Sequence, residues 1–144
     1  MALKTYTYGE LSLGMHDSLL RTVMASTVNQ FAEVSGDVNP IHLSDDFAAR
    51  SRFGQRIAHG MFTASLISAV IGTRLPGPGA VYLSQTLRFL APVKIGDVVA
   101  AVVEVAEMVE KGRRVRLDCQ CLVDGKPVLE GEAWVMVPAT PQTA

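Results

Sequence analysis

Residues 60–72 read GMFTASLISAVIG, a run that is apolar or small on every side. Met61, Phe62, Leu66, Ile67, Val70 and Ile71 leave no charged face, and Ser65 and Ser68 are small enough to permit close packing. A helix without a polar stripe has to be buried. The rest of the chain supplies the cover. Beyond a loop at Pro76, Gly77, Pro78 and Gly79 the hydrophobic period drops to two, and residues 80–90, 97–109, 113–123 and 127–137 read as four strands. Gly96 with Asp97, Lys111 with Gly112, and Asp124 with Gly125 punctuate them, the last pair forming a good hairpin turn. Upstream, residues 18–25 alternate as a strand, and Ser26 can cap a helix running through Phe31 toward Val34. One early strand, then helices, then antiparallel strands define an α+β domain whose long sheet curves around the buried helix.

A chain of 144 residues suits one domain with one core, here 1–144, with a frayed tail expected over 140–144. The formal net charge of −1 gives no basic excess for nucleic acid or an anionic membrane surface. No apolar stretch is long enough to cross a bilayer, and residues 1–10 lack a cationic segment followed by an apolar run. The expected location is the cytoplasm. Cys119 and Cys121 stand two apart in a strand, so they share a face as small fillers. They have neither C-x-x-C spacing nor further ligands nearby. His16, His42 and His59 are not spaced as a metal set, and Ser65 and Ser68 lie inside a helix rather than on a nucleophile elbow.

The chemistry is concentrated in FAEVSGDVNPIHLSDDF, residues 31–47. Gly36 is free to take the angles that end a helix, and Pro40 biases Asn39 away from helical angles. Asp37 and His42 are therefore not helical neighbours, but a bent segment can turn both into one pocket with Asn39 as a local hydrogen-bonding brace. Such a pair can move protons to and from a bound water in dry surroundings. Asp-Val-Asn-Pro is also an ordinary turn sequence.

The full string G-D-x-N-P-x-H, followed by LSDDFA and by IAHGM at 57–61, resembles the R-specific enoyl-CoA hydratases, the hydratase-2 or MaoC-like family of hot-dog proteins. LPGPGAVYLSQTL at 75–87 and PVKIGD at 92–97 are in keeping with it, and the likeness extends from about residue 10 to about 138. The resemblance implies a hot-dog fold and reversible syn addition of water to a trans-2-enoyl-CoA, giving an (R)-3-hydroxyacyl-CoA. Asp37 and His42 would hold the water and manage its protons; which of them is the base stays open, since a coupled pair titrates as a unit. The Gly60 N–H, at a helix start, would receive the thioester oxygen, although Gly60 also serves simple tight packing. Asn39, Ser68, Ile71 and Met136 are carried over as substrate-binding positions, the last three along the acyl chain, where ordinary core is the competing account. His59 either touches substrate or braces the helix start.

No metal or redox cofactor is implied, because the conjugated carbonyl already activates C3 and CoA arrives as part of the substrate. CoA phosphates call for basic residues at the entrance, and Arg88, Lys94, Lys111, Arg113 and Arg114 are available. A homodimer with continuous sheets and sites at the interface is expected, with apolar outward positions along 98–105 as the self-association face. Two other readings remain open. One is hydration or dehydration of another acyl thioester, whether branched, dicarboxylic or carried by acyl-carrier protein. The other is a nonenzymatic acyl-CoA-binding module, which would have no use for the complete pair.

Overall fold

In the computed structural model, which describes residues 3–142, the chain passes through a 3₁₀ turn (Tyr8–Glu10) and strand β1 (His16–Thr22). Four helices follow: α1 (Ala25–Ser35), α2 (Pro40–Leu43), α3 (Asp45–Ala49) and α4 (Gly60–Thr73). The strands β2 (Val81–Gln85), β3 (Arg88–Phe89), β4 (Val98–Val109), β5 (Arg114–Val123) and β6 (Lys126–Met136) complete it. One antiparallel sheet in the order β1-β4-β5-β6-β2, with β3 also paired to β6, wraps α4. This is the hot-dog arrangement expected above. Among the described residues no helix is long and apolar enough to cross a membrane.

The core lies between α4 and the inward alternate positions of the strands. Ile67 and Val70 of α4 are fully buried, as are Val99, Ala101 and Val103 of β4 and Val115 and Leu117 of β5. Cys119 and Cys121 continue that inward row as small fillers, in register with Val103 and Ala101. Their burial pushes the thiols up to about 11 and about 12, which keeps both protonated and unreactive.

Coverage of α4 is less complete than its composition implies. Met61 is 57% exposed, and Ser65, Ser68 and Gly72 are exposed with it. These four positions fall at i, i+4, i+7 and i+11, so they form one continuous stripe along the helix. The sheet covers the opposite side, where Phe62, Leu66, Ile67, Val70 and Ile71 are.

Three local readings are corrected. The first strand stops at Thr22 because Val23 is fully buried and exchanges its backbone bonds with Gly96 and Asp97. Helix α1 then begins at Ala25 with Met24 at its cap position, and Ser26 lies inside the first turn. Residues 80–90 are two strands, not one: the register shifts between Tyr82 and Ser84, and the chain breaks before β3. At the carboxyl end, 140–142 carry no regular structure, though Gln142 packs on Gly79; 143–144 of the expected tail lie outside the described residues.

The β2–β3 break depends on Gly131 of β6. Thr86, between the two strands, accepts and donates bonds with Glu132, and its carbonyl passes so close that a Cβ at position 131 would fall 1.8 Å from it. Gly131→Ala must push main chain against main chain. It is expected to lower stability by about 1–3 kcal/mol in urea denaturation; an unchanged midpoint and slope would show that this crossing is not a constraint.

Candidate active site

Asp37 owes its position to the end of α1. Gly36 takes φ 79° and donates its N–H to the Ala32 carbonyl at 2.9 Å, closing the helix with a left-handed residue. Asp37 follows at once, donating its N–H to Ser35 Oγ and accepting at Oδ1 from the Asn39 N–H at 3.2 Å. Asn39 is the cap of α2: its Oδ1 accepts from the Ile41 N–H at 3.1 Å, with Pro40 at the first helical position. That side chain is the brace the sequence suggested. Asp37 itself is exposed in the single chain.

His42, the third residue of α2, is only 8% exposed. Its Nδ1 lies 2.8 Å from the Ile57 carbonyl, which can only accept, so Nδ1 carries the proton and Nε2 presents a lone pair. Burial holds the imidazole below its usual pKa of 6.5; the Ile57 bond opposes this, the neighbouring His59 adds to it, and Asp37 pulls the other way. The net result favours the neutral ring at neutral pH. Arg56 fixes the frame by donating to the His42 carbonyl at 2.7 Å and to Asn29 Oδ1 at 2.9 Å.

The segment that reads IAHG then brings in the helix start. Ile57 bridges to Lys94, and the Ala58 N–H donates to the Val93 carbonyl at 2.7 Å. Polar atoms of Asp37, His42 and His59 come within 4.8 Å of one another. One water making two hydrogen bonds of about 2.8 Å spans such a gap. The same atoms suit a metal poorly. The His42 and His59 rings are stacked, with centroids 3.9 Å apart and planes at 26°, so their in-plane lone pairs do not converge at a bond length of about 2.1 Å.

Beside the pair is a cavity of about 500 Å³, walled by Asp37, His59, Gly60 and Thr63 together with apolar groups such as Phe53 and Phe89. His42 is not a wall residue; its ring lies against that of His59, which is. The first backbone bonds of α4 run from Phe62 and Thr63 to the His59 carbonyl, leaving the Gly60 N–H ahead of the ladder. Gly60 also permits tight packing, since a Cβ there would fall 2.7 Å from Phe89 Cε1. The packing contact is observed; the N–H left ahead of the ladder is compatible with an oxygen acceptor.

The expected acyl-chain residues are dispersed in this single chain. Ser68 is exposed on the open stripe of α4, Ile71 is buried in the core, and Met136 is 36% exposed opposite Val81. None of them walls the cavity. Nor do the basic residues named from sequence: Arg88 pairs with Glu130 at 3.7 Å, Arg113 Nε donates to the Val137 carbonyl, and Arg114 lies over Trp134. The cation on the wall is Arg52, held 4.9 Å over the Phe53 ring. Its signal was an Arg-Phe-Gly run at 52–54, too common to single out. A second hollow of about 570 Å³, on the sheet face turned from α4, is rich in carboxylates from Glu104, Asp118, Glu130 and Glu132. Arg116 already pairs with Asp118 and Glu132, and the hollow lacks an acid–imidazole pair.

The MaoC like domain profile matches residues 14–121. A 3-hydroxybutyryl-CoA dehydratase of Methylorubrum extorquens is 57% identical over 136 residues, covering 94% of this chain and 87% of the relative. An (R)-specific enoyl-CoA hydratase of Rhodospirillum rubrum is 49% identical over 132 residues, 92% of each chain. Among solved structures, an R-hydratase from Pseudomonas aeruginosa in its unliganded form superposes with a TM-score of 0.92 at 42% identity, covering 99% of this chain and 94% of that one. Likeness in both sequence and backbone, carried across nearly the whole length, places this chain in the MaoC-like dehydratase family.

Proposed function

We propose that this protein is an (R)-specific enoyl-CoA hydratase, which in reverse dehydrates (R)-3-hydroxyacyl-CoA. The observation that carries the reading is one juxtaposition: an aspartate and a neutral imidazole a water's span apart, beside the free N–H of Gly60 in a largely apolar cavity. The two relatives at 49% and 57% identity, whose names describe the two directions of this reaction, support it.

The water oxygen, held between Asp37 and His42 Nε2, bonds to C3 of the enoyl thioester as the C2–C3 π electrons move toward the thioester oxygen. The Gly60 N–H stabilises that developing charge, helped by the positive end of α4. The proton released from water passes into the pair and is delivered to C2, so O and H arrive on the same face. Asp37 and His42 act as one proton-handling unit. CoA belongs to the substrate, and Arg52 on the cavity wall is the cation best placed for its phosphates.

A second copy of the chain completes the site in this reading. The edge strand β2 leaves Val81, Tyr82 and Leu83 exposed, and the stripe from Met61 to Gly72 on α4 is open as well. An unpaired apolar edge of this kind favours association. Along 98–105 the outward positions run Val98, Ala100, Val102 and then Glu104, a weaker face than the β2 edge. Ser68, Ile71 and Met136 are retained as acyl-chain positions in the assembled protein, Ser68 and Met136 being open in the single chain. A cytoplasmic location fits a CoA-thioester substrate.

Wild-type protein is expected to hydrate crotonyl-CoA to (R)-3-hydroxybutyryl-CoA, measured by loss of enoyl absorbance and chiral analysis of the product. Asp37→Asn and His42→Ala should each cut the rate by about 10³-fold or more with the fold intact; a wild-type rate in either removes the pair from the mechanism. Because Nε2 must be unprotonated, kcat/KM should rise with pH through the His42 pKa, giving an acid limb centred below 6.5. A limb centred above 6.5 would contradict that assignment. Light scattering at micromolar concentration should report a dimer; a monomer that is fully active would refute completion of the site by a second copy.

A further inference from the structure

Residues 33–40, which carry the proposed catalytic acid, are all exposed. Their hydrogen bonds are local: Ser35 Oγ to the Phe31 carbonyl, the Asp37 N–H to Ser35 Oγ, the Val38 N–H to the Gly36 carbonyl, and the Asn39 N–H to Asp37 Oδ1. Local bonds shape a turn but do not fix it against the rest of the molecule. Among the described residues one bond does: His59 Nε2–H donates to the Asp37 carbonyl at 2.9 Å, across 22 positions of sequence.

His59 is 2% exposed, and its ring does more than donate. It stacks on His42 at 3.9 Å between centroids and meets Phe31 at 4.9 Å. It also directly precedes Gly60. The three proposed catalytic groups therefore lie on two stretches of chain, 37–42 and the start of α4, and His59 contacts or adjoins each group.

The helix start does not account for an imidazole here. His59 occupies the cap position of α4, where Ser, Thr, Asp or Asn stabilises best by accepting a backbone N–H bond, yet its side chain makes no cap bond. Its Nδ1 is buried with no hydrogen-bond partner among the described residues, an arrangement that costs stability. A residue chosen only to start a helix would do better on both counts. What the imidazole supplies is a donor reaching the Asp37 main chain from one edge and a flat surface under His42 from its face.

We propose that His59 is a positioning residue for the reaction: it tethers the Asp37 turn and seats the His42 ring, so that acid, imidazole and Gly60 amide keep one spacing. The proposal rests on the hydratase reading for its kinetic consequence, but not for its geometric one. Two substitutions separate the two contacts. His59→Phe keeps a ring for stacking and loses the donor; His59→Gln keeps an N–H of similar reach and loses the ring.

For His59→Phe, kcat for crotonyl-CoA should fall about 10²-fold, the scale of an ångström's misplacement at a reacting centre, with KM within about threefold. His59→Gln should recover about tenfold of that loss. Amide hydrogen exchange over 36–39, which needs no substrate, should accelerate in His59→Phe and return toward wild type in His59→Gln. Wild-type kcat in His59→Phe, or exchange over 36–39 unchanged by the loss of the donor, would overturn the tether. Equal losses in both variants that follow a fall in Tm would also overturn it, leaving His59 as ordinary core. If wild-type protein fails to hydrate crotonyl-CoA, the hydratase reading falls alone, and the exchange comparison decides the tether.

Discussion

An uncharged helix that has to be covered is the constraint from which the rest of the molecule follows. With Ile67 and Val70 fully buried and Phe62, Leu66 and Ile71 buried beside them, the sheet must curve to reach them, and the inward rows of β4, β5 and β6 are built to do so. Hydrophobic burial of this kind is non-directional and says only that the helix is enclosed. Direction comes from the amino end of the helix. At its amino end α4 leaves N–H groups without helical partners, and that end faces a cavity whose wall includes the polar side chains of Asp37, His59 and Thr63. The candidate site lies at that end of the helix.

Much of this was legible in the sequence because it follows from periodicity and local turn chemistry. The charge-free run at 60–72 and the alternating strands after it fixed the architecture, and Gly36 and Pro40 fixed a bend between Asp37 and His42. The misread details are ones that depend on distant partners. Nothing between residues 80 and 90 announces a break, because the break is set by Thr86 crossing a glycine forty-five positions away at Gly131. Met24 makes a poor cap by propensity, and α1 starts there because Val23 is held in the core by Gly96 and Asp97. Arg52 has no distinguishing signal in the sequence, since an arginine beside a phenylalanine is ordinary until both share a cavity wall with Asp37.

The candidate pair shows a division between what sequence and structure contribute. The string 31–47 names an acid and an imidazole and explains their separation, but the protonation state of the imidazole depends on the Ile57 carbonyl, fifteen residues on. That carbonyl places the ring proton on Nδ1 and burial disfavours a second one, so the lone pair of Nε2 is available for water. The Ile57 segment is in turn fastened to 93–94 by main-chain bonds. The geometry of a motif that looks self-contained thus depends on a neighbouring segment held by main-chain bonds to residues 93–94.

The proposed chemistry also requires enclosure, and in the single chain Asp37 is exposed. Proton transfer between a carboxylate and an imidazole through a single water is effective when bulk water is kept away. The open stripe on α4 and the exposed apolar edge at β2 are uncovered in the same chain, and covering them is favourable for the reason that burying α4 is. If a second copy satisfies that demand, as proposed, then association and catalysis draw on one driving force: apolar surface left over from enclosing the helix is removed from water by the step that excludes water from the reacting groups. On that account Ser68 and Met136 can be small or flexible without loss to the single chain's core, because their packing partners are supplied only on assembly.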